Sequence, residues 1–174
     1  MAEIFELQVT FRRLKLDINI SQRLKLVNVY TDRDRLRQVI INLVSNAIKF
    51  SKTFIKVDCF QLFGESSIDD EEEESKEIED LTMPNFNPKT AARNLVHTKK
   101  MYASDSVFIT VTDDGDGISP EDQKKLFKLF GKIEKTHHLN KKGCGLGLTG
   151  CKKIMQKMRG DISVISKKNK GTIF

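Results

Sequence analysis

Several features that would place this chain in a large functional class are missing from it. No stretch of its 174 residues approaches the roughly 20 consecutive apolar positions of a membrane-spanning helix, and no signal peptide opens it. No membrane contact by this fragment is expected. Cysteine is scarce: Cys59, Cys144 and Cys151 are odd in number and form neither a C-x-x-C pair nor a zinc spacing. A reduced, cytoplasmic setting is therefore expected, although a longer parent protein could still be anchored to a membrane. The chain also has no aromatic platform and no recognition motif for nucleic acid, so no nucleic-acid partner is expected beyond non-specific charge attraction.

What the chain does have is an uneven charge. The net value is +6, yet residues 64–80 hold ten acids and one lysine, which leaves 29 bases and 14 acids elsewhere. The remainder is thus near +15. A surplus of that size favours a polyanionic ligand such as a nucleotide triphosphate, and equally a nucleic acid or an acidic partner. The length suits one domain with an extra segment.

The stretch from Asp32 to Phe50 organises the rest. Leu36, Val39, Ile40, Leu43, Val44, Ala47 and Ile48 recur at the spacing of a helix with one buried side. Asn42, Asn46 and Lys49, four and three residues apart, form a polar ridge along the margin of that face. Two amides beside a core are placed to meet something polar that sits against it.

Around this helix, strand and helix alternate. Ala2 to Arg13 is loosely helical, Leu14 to Ile20 alternates as a strand, and a short strand is predicted at Leu26 to Tyr30, with Thr31 or Asp32 capping the central helix. Thr53 to Phe63 reads as a strand. Residues 64–104 break the pattern with an acidic run, two prolines and a basic end, the composition of a disordered insertion. Ser106 to Thr112 is a strand by its β-branched content. Ser119, Pro120 and Glu121 start a helix that carries Leu126, Phe127 and Phe130 and ends at Gly131. Ile133 to Lys142 reads as a loop, and a glycine-rich entry from Gly143 leads into a helix stopped by Gly160. Ile162 to Ser166 is a strand, and a last strand begins at Thr172 as if cut short. An α/β fold is predicted, a mixed sheet backed by about three helices.

Two glycine segments carry chemistry. In Asp113-Asp114-Gly115-Asp116-Gly117-Ile118, a fixed Asp113 carboxylate can accept the exocyclic amino group of adenine, where guanine presents an acceptor. Gly115 and Gly117 would let backbone approach a base. On spacing alone this is equally an ordinary strand-to-helix turn. Gly143-Cys144-Gly145-Leu146-Gly147-Leu148 precedes a helix, where free N–H groups and the positive dipole end suit phosphate. It is neither a Rossmann fingerprint nor a P-loop. Lys142 and its neighbours could fold over phosphates or face solvent. Asn46 could join a magnesium shell completed by phosphate and water, and Lys49 could reach a phosphate. Phe50 suits either core or site.

Taken together and in order, N-L-V-S-N-A-I-K-F, V-T-D-D-G-D-G-I, L-F-K-L-F-G and G-C-G-L-G-L-T resemble the N, G1, F and G2 boxes of the catalytic domain of sensor and hybrid histidine kinases. That domain is a GHKL or Bergerat-fold ATPase. The likeness spans residues 1–174 as a single domain, apart from the 64–104 insertion. It implies a two-layer α/β sandwich with Mg-ATP between Asn46, Asp113 and the glycine segments. The implied cofactors are ATP and Mg2+. The implied nucleotide contacts are Asn46, Lys49, Phe50, Asp113, Gly115, Gly117, Ile118, Lys142, Gly143, Gly145, Leu146 and Gly147, with Asn46 on the metal and Asn42, Asn46 and Lys49 in the catalytic set. Gly131, Cys144 and Gly150 depart from the family pattern without removing a ligand.

Relatives that hydrolyse ATP carry a glutamate one turn before the metal asparagine, and this chain has Asn42 there. An amide takes no proton, so the γ-phosphate is expected to pass to another acceptor. The resemblance implies a histidine on a separate dimerisation and phosphoacceptor domain, followed by a response-regulator receiver domain. His97, His137 and His138 lack that acceptor context. A degenerate module that keeps the fold to bind a partner is the alternative.

Overall fold

A computed structural model describes residues 2–62, 106–128 and 147–174. Ten elements follow in chain order: α1 (Ala2–Phe11), β1 (Lys15–Ile20), α2 (Gln22–Lys25), α3 (Arg33–Phe50), β2 (Phe54–Leu62), β3 (Ser106–Asp113), α4 (Pro120–Gln123), α5 (Gly147–Lys157), β4 (Ile165–Lys167) and β5 (Gly171–Ile173). The strands form one sheet in the order β1-β2-β3-β5-β4. Only β1 and β2 run parallel; every other pair is antiparallel. The fold is a mixed α/β sheet backed by three substantial helices.

Strand alternation sets the core. Ile55, Val57 and Val111 lie opposite one another on the face turned toward the helices, with Val57 paired to Val111. Six α3 side chains, Val39, Ile40, Leu43, Val44, Ala47 and Ile48, are buried against that face. Burying a Val-, Leu- or Ile-sized side chain contributes about 1.5–3 kcal/mol, so this stripe holds the helix to the sheet. From the other side of the core α1 adds Phe5, and α5 adds Cys151.

The ends of α3 are fixed locally. Asp32 is its N-cap and accepts a hydrogen bond from the Arg35 N–H at 3.0 Å. At the other end the Ser51 hydroxyl donates to the Ala47 carbonyl at 2.7 Å, and the chain turns into β2.

Four boundaries differ from the sequence reading. The segment Leu26 to Tyr30 is no strand: Ser21 caps the short helix α2, and Leu26 and Tyr30 stand exposed with no neighbouring strand to pair with. The helix at Ser119 stops at Gln123, and the backbone continues in i→i+3 turns from Asp122 to Lys125 and from Lys125 to Lys128. At that point the Gln123 side-chain amide donates to the carbonyls of Ile118 and Ser166, which ties the short helix to β4. Phe130 and Gly131 lie outside the described residues, as do residues 64–104. Next, β4 begins only at Ile165 because its partner β5 is three residues long. Finally, the left-handed residue that ends α5 is Arg159 (φ 60°), not Gly160. The N–H groups of Arg159 and Gly160 return to the carbonyls of Gln156 and Met155, which closes the helix as a Schellman turn.

Candidate functional site

The polar ridge of α3 lies half-buried between the two glycine segments. Asn46 donates through Nδ2 to Asn42 Oδ1 at 3.2 Å. At the early end of the ridge, α5 begins so close that a Cβ placed on Gly147 would stand 2.6 Å from Asn42 Nδ2. At the late end, a Cβ on Gly115 would stand 2.6 Å from the Phe50 carbonyl oxygen and 2.8 Å from Asp113 Oδ1. Asn42 and Phe50 are eight residues apart, which is about 12 Å along a helix axis. Gly115 and Gly147 thus meet one helix at places about two turns apart, with Asn46 and Lys49 between them. The Lys49 ammonium stands 5.2 Å from the Phe50 ring centroid, and partial burial lowers its pKa.

Asp113 closes the late end. Strand alternation turns it to the same face as Val111, and only 4% of it is exposed. Its Oδ1 accepts the Gly115 N–H at 2.9 Å, and the carboxylate also accepts the Thr172 N–H from β5. Burial outweighs these bonds and pushes its pKa up to about 7. A buried carboxylate with so costly a charge is primed for a donor in front of it, and the turn is packed so closely that a Cβ on Gly115 would press on both the Phe50 carbonyl and the carboxylate.

The turn after Asp113 is held from two directions. Asp114 points away from Asp113 and accepts the N–H groups of Lys52 at 2.9 Å, Thr53 at 2.9 Å and Phe54 at 3.3 Å, with the Thr53 hydroxyl at 2.5 Å. Burial opposes its charge, yet these bonds prevail and hold its pKa below the usual carboxylate value. Gly117 has φ +64°, and a Cβ there would fall 1.9 Å from the Lys167 carbonyl. No other residue type fits. The Ile118 N–H then donates to the Ser166 hydroxyl at 2.8 Å, which ties the turn to β4. At the surface Lys52 pairs with Asp116 at 2.7 Å.

Of the residues singled out from sequence, Asn42, Asn46, Lys49, Phe50, Asp113, Gly115, Gly117, Ile118 and Gly147 are placed in this one region. Lys142, Gly143, Gly145 and Leu146 lie outside the described residues. Sequence reasoning did not pick out Asp114, Ser166, Thr172 or Thr149. The adjacent pair Asp113-Asp114 held a signal for the first, because alternation sends neighbours to opposite faces. Thr149, buried near the start of α5, donates to the Lys128 carbonyl at 3.0 Å and so joins that helix to the turns after α4.

The family described as histidine kinase-, DNA gyrase B- and HSP90-like ATPase matches residues 31–174. The sensory kinase SasA of Prochlorococcus marinus is 29% identical over 171 residues, covering 98% of this chain and 36% of that protein. The sensor protein CiaH of Streptococcus pneumoniae is 42% identical over 69 residues, covering 40% of this chain and 16% of that protein. The chain therefore spans 36% of the length of one of these curated relatives and 16% of the other. Among solved structures, the nucleotide-free catalytic domain of histidine kinase ThkA superposes with TM-score 0.63 at 23% identity, covering 99% of this chain and 83% of that one. Full-length ShkA in complex with AMPPNP superposes with TM-score 0.64 at 20% identity, covering 99% of this chain and 27% of that one. Since that family's model covers most of the chain, the chain belongs to the histidine kinase-, DNA gyrase B- and HSP90-like ATPase family.

Proposed function

We propose that this domain binds Mg-ATP along the α3 ridge and donates the γ-phosphate to a histidine on a separate phosphoacceptor domain, as one half of a two-component sensor kinase. The observation that carries this is the seating of Gly115 and Gly147 against one helix, with a buried carboxylate at one end and two amides toward the other. Asp113 would accept a hydrogen bond from the adenine amino group, and Gly115 and Gly117 would let the turn pack tightly enough to hold that carboxylate in place. The first residue of α5 would contribute a positive helix end to the phosphates. Lys49 suits a phosphate contact.

Asn46 is a fitting magnesium ligand because this small, hard cation keeps most of its shell in water and phosphate oxygens and takes few groups from protein. Bound there, the metal would offset charge on the phosphates. Asn42 has no proton-accepting nitrogen or carboxylate, so it would not activate water as a general base. The phosphoryl group would thus be kept for a histidine supplied by a partner domain, which in turn passes it to a receiver domain. Among the described residues no helix is long and apolar enough to cross a membrane.

The test is calorimetric titration of the chain with a non-hydrolysable ATP analogue, with and without magnesium, and GTP as control. Adenine-selective, magnesium-dependent binding is expected. A folded sample that binds neither nucleotide would instead indicate a partner-binding module that has lost its ligand.

A further inference from the structure

Taking the Mg-ATP reading above as its basis, we propose that Asn42 is a positioning residue that fixes the amide of Asn46 and couples it to the start of α5. An asparagine amide has two nearly equivalent orientations, and which end faces outward is decided by the hydrogen bonds around it. Here Asn46 Nδ2 is engaged by Asn42 Oδ1 at 3.2 Å. That bond turns the NH2 group back along the helix, one turn toward its N-terminus, and leaves Oδ1 as the outward-facing end. Only an oxygen can bind a cation, so this choice separates a competent Asn46 from an incompetent one.

Asn42 is itself constrained. It is half-buried, and Gly147 stands so close that a Cβ there would be 2.6 Å from Asn42 Nδ2 and 3.2 Å from Oδ1. The amide therefore lies between the first residue of α5 and Asn46. A displacement of the α5 start would move Asn42, and Asn42 would release Asn46. An outer group that orients a metal ligand typically accounts for 10–100-fold in metal affinity. The same amide that withholds a general base from water would thus serve the metal site by a different property, its carbonyl oxygen.

The experiment compares the parent chain with Asn42→Ala, Asn42→Asp, Asn46→Ala and the Asn42→Ala/Asn46→Ala pair. Each is titrated with ADP without metal and with the ATP analogue at rising magnesium, and thermal melts check the fold. Asn42→Ala should reduce apparent magnesium affinity about tenfold or more while metal-free ADP binding is unchanged. The double variant should lose no more than Asn46→Ala alone, since one residue acts through the other. Asn42→Asp keeps an oxygen acceptor for Asn46 Nδ2 and should restore most of the magnesium response. Additive losses, or an Asn42→Ala variant with parental magnesium dependence, would overturn the inference and leave nucleotide binding standing. If the parent chain binds no nucleotide, the Mg-ATP reading fails and this inference falls with it. A second readout needs no ligand: in the free protein the side-chain amide resonances of Asn46 should shift in Asn42→Ala, and unchanged resonances would rule out the hydrogen bond.

Discussion

The two ends of the α3 ridge are built differently. At the Asp113 end, three distant stretches of chain lock one another: β3 supplies Asp113 and Asp114, the α3–β2 turn supplies three N–H donors to Asp114, and β5 supplies the Thr172 N–H to Asp113. At the Asn42 end, among the described residues, a single glycine abuts a single amide. The first arrangement makes site geometry and fold stability the same thing, whereas the second leaves them nearly separable. Mutations at the Asp113 end should therefore change melting and binding together, except where the carboxylate alone is neutralised. Those at the Asn42 end should change ligand response with little effect on melting.

The sharpest break in that contrast is Asp113→Asn. Replacing the acceptor oxygen by an NH2 group sets donor against donor at the adenine amino group, so affinity for the ATP analogue should fall about a hundredfold or more by calorimetry. The fold should survive. In the free protein the Asp113 pKa is raised from 3.8 to about 7, chiefly by burial, so the folded state holds a proton that the unfolded chain has released. Stability contributed by this group is thus present at low pH and falls as pH rises through that window. Above pH 7 Asp113→Asn should consequently melt higher than the parent chain. The parent's nucleotide affinity should rise about tenfold from pH 6 to pH 8 as the carboxylate ionises, and the variant's should not.

Gly117→Ala ranks second. A Cβ 1.9 Å from the Lys167 carbonyl at φ +64° forces the turn off β4, and a loss of more than about 2 kcal/mol is expected in chemical denaturation. A parental midpoint would show that the turn and β4 are not locked together. Asp114→Ala removes a charged acceptor from the N–H groups of Lys52, Thr53 and Phe54. It should cost about 1.5–3 kcal/mol and also weaken nucleotide binding, because the turn beneath Asp113 is loosened. The smallest effect belongs to Gly150→Ala. Nothing lies within 4 Å of a Cβ at that helical position, so the substitution should stabilise by about 0.5–1 kcal/mol with unchanged binding. A decrease would mean that α5 needs a gap there.

Much of this contrast was legible in the sequence, and the exceptions share a cause. Apolar residues at 107, 109 and 111 put Asp113 on the inner face, and the three-and-four spacing of α3 put Asn42 and Asn46 on one edge. Both are local periodicities. Thr172 and Ser166 were missed because their roles come from pairing between β3, β5 and β4, which no local pattern specifies. Leu26 to Tyr30 has strand-like residues but no strand beside it, so its propensity went unused. The helix at Ser119 tightens early into i→i+3 turns, and its tie to β4, from Gln123 to Ser166 43 residues away, is likewise beyond any local pattern.

The Thr172 contact has one more consequence, for the order of events during synthesis. Asp113 leaves the ribosome long before Thr172 and Gly171 follow, and Gly171 sits so close that a Cβ on it would stand 2.1 Å from the Asp113 carbonyl. Until residue 172 has emerged, the buried carboxylate lacks both the strand that covers it and one of its two N–H partners. Nascent chains commonly fold from the N-terminus as they appear, but the Asp113 end has to wait for β5. On the Mg-ATP reading, nucleotide can therefore assist the folding only of chains in which β5 has already paired with β3.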